Sequence, residues 1–236
     1  MKTLLKASAI VALSASSAAA QFITPTGTFS ATLPPGVTFG GSGIPGPVMT
    51  TSLNNVELVI GASQRSDNAA LTNNGAGTYF AVSGTDISST PVANSARWNF
   101  NYAITGTQRL AYNYRVFYDF NPAAGNTQNQ ASYGFFNLPS ALLDVPVVGV
   151  PSQNSLNLGM AFLSGPAVPG FLTPPPVSFS ALADGTYSFA LVAYTPGISN
   201  NGINPYATEV GRVAMDVNMS AVPEPSTYAQ IGRAHV

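Results

Sequence analysis

Between residues 97 and 120 the chain alternates apolar and polar side chains with a period of two, and nothing else in it constrains the fold as much. Trp98, Phe100, Tyr102 and Ile104 share one side of an extended segment; Arg97, Asn99, Asn101 and Ala103 share the other. Leu110, Tyr112, Tyr114, Val116, Tyr118 and Phe120 repeat the pattern. Successive side chains of a strand point to opposite faces, whereas a helix would scatter these residues around its circumference. The two segments are expected to pair as a hairpin through a Thr105–Arg109 loop. Keeping both apolar rows on one face sets Ile104 opposite Leu110, Tyr102 opposite Tyr112, Phe100 opposite Tyr114 and Trp98 opposite Val116. Asn99 then lies beside Arg115. A slip of one residue would turn one row outward.

The same alternation, weaker, marks the other strands. Gly27–Leu33 reads as one short strand within a Pro/Gly-rich opening, and Val56, Leu58 and Ile60 mark another. Thr78–Ser83 follows the Asn73–Gly77 turn. Asn121-Pro122 ends the Tyr118 strand, because proline lacks a ladder donor and restricts its predecessor. Tyr133–Asn137 predicts a short strand, Ser140–Leu143 one helical turn, and Leu156, Leu158, Met160 and Phe162 another strand. Pro166–Pro176 predicts an extended connection, and Val177–Ser180 a strand. After the Asp184-Gly185 turn, Thr186–Thr195 is apolar on both faces, as a strand covered on both sides must be. Val213, Met215, Val217 and Met219 make the last strand. About nine short strands with almost no helix predict an all-β chain, a single antiparallel β-sandwich of jelly-roll-like form over residues 21–221.

Composition narrows the function. Charged residues make up 7% of the chain, against about a quarter in ordinary soluble domains. Between residues 21 and 229 there are five arginines, no lysine and nine acids. Nucleic acid demands a basic footprint, so it is not an expected partner. Cysteine is absent, so an exported fold would be held by its core and not by disulfides.

The two ends read as addresses. Lys2 and Lys6, the apolar stretch Ala7–Ala15 and the small residues Ala18-Ala19-Ala20 match a secretory signal peptide over 1–20, with cleavage between Ala20 and Gln21. Near the other end stands Val222-Pro223-Glu224-Pro225-Ser226-Thr227-Tyr228-Ala229. This string resembles the opening of the PEP-CTERM sorting signal of exported proteins in Gram-negative bacteria. The resemblance implies export machinery and an exosortase as partners, a membrane helix and an Arg-rich stop after the triplet, and a cell-surface or extracellular setting with exopolysaccharide and biofilm. Asp119-Phe120-Asn121-Pro122, Gln153–Leu158 and Asp184–Tyr194 are similar, diffusely, to stretches of surface proteins carrying that signal. A membrane helix takes roughly 20 apolar residues, and Gln230–Val236 contains no apolar run. Ile231–Val236 resembles translation through a sequencing-adaptor oligonucleotide. Residues 230–236 are therefore expected to be non-native, with the sorting signal interrupted after Ala229 and the membrane helix missing.

Few residues can carry chemistry. The chain's one histidine is His235, so Ser–His catalysis has no base within 21–229, and cysteine chemistry has no nucleophile. No metal site or cofactor is expected. The acids are scattered singly, leaving only a calcium site built from loop carbonyls with Asp119 or Asp184. Glycoside hydrolysis would use two of Asp119, Asp184 and Asp216, although a strand end, a turn and a polar strand face explain each of them. Trp98, Tyr102, Tyr112, Tyr114 and Tyr118 could stack on sugars only if exposed, yet they share faces with Phe100, Leu110, Val116 and Phe120, which are expected to be buried, so the row is expected in the core. Tyr133, Tyr206 and Asn126 are the alternative sugar contacts. The reading is an exported noncatalytic surface or matrix protein, with a secreted carbohydrate-binding module as the alternative and a glycosidase behind it.

Overall fold

A computed structural model of the chain describes residues 22–41, 43–123, 130–140, 143, 152–199 and 202–221. Twelve strands lie among them: β1 (Thr28–Ser30), β2 (Val48–Leu53), β3 (Val56–Gln64), β4 (Thr72–Asn73), β5 (Thr78–Val82), β6 (Trp98–Gly106), β7 (Asn113–Tyr118), β8 (Gly134–Leu138), β9 (Ser152–Leu156), β10 (Leu172–Thr173), β11 (Gly185–Ser199) and β12 (Gly202–Ser220). They form an all-β sandwich of two sheets, ordered β1-β2-β3-β6-β9 and β10-β8-β7-β11-β12-β5-β4. Every pairing is antiparallel except that of β12 with β5. No helix among the described residues is long and apolar enough to cross a membrane.

The core joins the two sheets through aromatic rings. Phe100 of β6 stacks on Phe189 of β11 with ring centres 4.9 Å apart, Trp98 meets the same ring edge-on at 5.7 Å, and Tyr102 meets Phe136 of β8 at 5.8 Å. The expected burial of the Trp98 row is therefore observed. Its expected partner is not. β6 pairs with β3 and β9, and β7 pairs with β8 and β11 in the other sheet. The parity rule that placed both apolar rows on one face is met equally by two strands looking at each other across the core. Between them the chain turns at Gly106, makes a 3-10 turn at Arg109–Ala111 and changes sheets. Leu110 leaves the apolar row and is 42% exposed. Asn99 donates to Ser155, not toward Arg115, which bonds Asn137 instead.

Two further strands were misplaced, each because an asparagine takes over backbone groups. β9 ends at Leu156, where the expected Leu156–Phe162 strand was to begin, since Asn157 turns inward and Leu158–Ser164 follows as turns. Val177–Ser180 makes no ladder: Asn94 donates to Phe179 O at 2.9 Å and accepts from Ala181 N at 3.3 Å. The Pro166–Pro176 connection is not simply extended, because Leu172–Thr173 pairs with β8. Of the expected Ser140–Leu143 turn, residues 141 and 142 lie outside the described residues; Leu143 N donates to Ser140 O at 3.0 Å. β11 is covered on both faces as expected: Tyr187, Phe189 and Leu191 enter the main core, while Ala190, Val192 and Tyr194 pack under Ile23 and Phe22 of the N-terminal segment.

Candidate functional site

The sorting-signal residues Val222 to Ala229 and the cleavage residues Ala18, Ala20 and Gln21 lie outside the described residues, as does Asn126. β12 runs to Ser220, so only Ala221 separates the last ladder residue from the signal. Of the alternative sugar contacts, Tyr133 is buried. Tyr206 is half-buried and engaged, its ring 4.6 Å from the Arg115 guanidinium, which Phe135 stacks at 4.1 Å.

Two of the three candidate acids do come together. Ser188 of β11 pairs with Asp216 of β12, and the Phe189–Tyr118 pairing brings Asp119 to Ser188 from the other side. The three side chains form a row on the face of the seven-stranded sheet that points away from the main core. Asp119 is 1% exposed. One of its oxygens accepts from Asn121 N at 2.8 Å. Its Oδ2 and Asp216 Oδ1 are buried without a hydrogen-bond partner among the described residues. Burial pushes the Asp119 carboxyl up to about 7, and the Asp216 charge adds to this against the backbone N–H groups of Asn121 and Phe120. Asp216 is raised too, by burial, with the Ser188 hydroxyl opposing. Asp184 immediately precedes β11, and its charge and that of Asp119 both bear on the Tyr187 hydroxyl. Such a pair resembles the two carboxylates of a glycosidase in composition; Asp119 is almost wholly covered by the fold, and Asp216 is half-buried. Among the described residues no three His, Cys, Asp or Glu side chains gather as a metal site.

A concave feature with room for a ligand lies elsewhere. A cavity of about 420 Å³ opens where the β4–β5 edge of one sheet meets the end of β3 and the start of β6 of the other. Gln64, Asp67, Arg97 and Asn218 are among its polar groups. Leu71, Phe80, Val82 and Ile87 supply apolar wall, and Trp98 is also part of the lining. The loop that carries Ile87 is held by Asp86, whose buried carboxylate bonds Arg65 Nε at 2.8 Å and Ser88. Ile87 itself is 69% exposed. The sequence picked out none of this wall except Trp98, because it comes from five separate stretches with no common motif. Comparison of the chain with protein-family models, with curated proteins and with solved structures found no match.

Proposed function

We propose that this chain is an exported, noncatalytic cell-surface or extracellular-matrix protein that an exosortase handles through Val222–Ala229, in a setting of exopolysaccharide and biofilm. The observation that carries the reading is the string Val222-Pro223-Glu224-Pro225-Ser226-Thr227-Tyr228-Ala229, set one residue beyond the final strand of the sandwich. A tag so placed can be reached by a membrane enzyme without unravelling the sheet. The noncatalytic part of the reading draws support from residues 21–229, which contain neither histidine nor cysteine, and from the burial of Asp119. The test uses a chain continued past Ala229 with a membrane helix and an Arg-rich stop, expressed with an exosortase. Cleavage near Pro223–Pro225 is expected, and the double substitution Pro223→Ala, Pro225→Ala should leave precursor uncut. Normal processing of the double variant would remove the exosortase from the account.

A further inference from the structure

We infer that the cavity at the β4–β5 edge binds a neutral saccharide of one or two units. Four observations select that ligand. The volume, about 420 Å³, falls in the range of roughly 300–1,000 Å³ for small-molecule sites and admits on the order of one to two pyranose rings. The wall carries one anion, Asp67, and one cation, Arg97, so it favours no net charge in its occupant. Gln64 and Asn218 add two amides, each able to donate and accept, which is the pattern that suits a hydroxyl. The half-buried Phe80 ring and the exposed Ile87 supply apolar surface for the C–H face of a sugar ring.

Trp98 adds a further argument. Its side chain is 1% exposed, and its Nε1 has no acceptor among the described residues. A buried donor left without a partner is destabilising and uncommon in native folds. Trp98 is part of the cavity lining, but its N–H lies beneath the wall, so a sugar oxygen becomes its partner only where the indole shifts toward the opening. A purely apolar ligand would leave Nε1 unpaired and would strip water from both amides. This site is distinct from the Trp98 row as a stacking platform, since the row is buried and only the cavity is open. It is also independent of the sorting reading: failed processing at Pro223–Pro225 would leave the cavity unchanged, and failed sugar binding would leave the tag unchanged.

The chain contains one tryptophan, so its emission reports on this cavity. The purified full chain is titrated with glucose, galactose, mannose, N-acetylglucosamine, cellobiose and maltose, with glucuronic acid as a charged control and cyclohexanol as an apolar one. At least one neutral sugar should give a saturable change in Trp98 emission and a matching calorimetric isotherm. Gln64→Ala and Asn218→Ala should each weaken binding about tenfold while the thermal midpoint changes little. Trp98→Phe, followed by calorimetry, should weaken it by a similar factor. Absence of binding by all six neutral sugars up to 10 mM would overturn the inference, as would binding of cyclohexanol alone, or sugar affinity indifferent to all three substitutions.

Discussion

Asn157 shows how one side chain can decide where a strand stops. It is fully buried, and its Oδ1 accepts from Ala96 N at 2.9 Å and from Gly159 N at 3.0 Å. Its Nδ2 donates to Ala96 O at 2.9 Å, Trp98 O at 2.8 Å and Asn99 Oδ1 at 3.0 Å. These bonds do for the start of β6 what a neighbouring strand would otherwise do, so the chain leaves β9 at Leu156 without orphaning backbone groups. Asparagine suits this role because its amide both donates and accepts. Asn157→Ala should therefore cost about 2–4 kcal/mol in urea melts, since several buried polar groups lose their partner together. Asn157→Asp changes a single heavy atom but replaces the donor with an acceptor facing three oxygens, and should be no better tolerated than alanine. An aspartate variant as stable as the parent would show that the donated bonds contribute little.

At the scale of elements, the apolar rows of β6, β7, β11 and β12 were legible because period two survives wherever one face is buried. Their partners were not legible, because face parity does not distinguish a neighbour in the same sheet from a strand across the core. The β2–β3 hairpin was missed although its signal is present. Asn54-Asn55 joins Leu53 to Val56, with φ of 44° and 60° at the two asparagines, the left-handed pair that two-residue hairpin loops require. Gly106 is the residue that lets β6 end against this turn. Its φ is 105°, and an added Cβ would clash with Asn55 O. Gly106→Ala should cost about 3 kcal/mol or more, from strained backbone and a clash with main chain. Gly75, with φ of 70° and nothing within 4 Å, isolates the conformational part, and Gly75→Ala should cost only about 1–2 kcal/mol. Equal losses in denaturant melts would argue that contact with the Asn54–Asn55 turn is unimportant.

For the whole molecule, ionisation acts from two places in opposite directions, and neither was visible before the strands were assembled. The cavity was hidden for the same reason: its wall joins Gln64, Phe80, Arg97 and Asn218 from separate strands and loops. Burial alone would raise the Asp86 carboxyl, but hydrogen bonds from Arg65 and Ser88 and the Arg65 charge hold it at about 2. A carboxyl lowered on folding contributes stability that is present above its unfolded value, near 4, and lost as pH falls through about 2. Asp119 works the other way. Its folded value is raised to about 7, so the native state binds a proton that the unfolded chain has already released. Stability is complete below about 4 and declines as pH rises toward 7, by at most on the order of 4 kcal/mol. Asp216, also raised, extends the decline. Urea melts between pH 2.5 and 9 should place the maximum near pH 4–5, unusually acidic for a folded domain. Asp119→Asn keeps the oxygen that accepts from Asn121 N and removes the charge, so it should stabilise at pH 8 and change little at pH 4. Asp86→Asn should instead flatten the acid limb. A parent chain most stable at pH 8, or an Asp119→Asn gain as large at pH 4 as at pH 8, would show that the buried carboxyls do not govern the pH response of this sandwich.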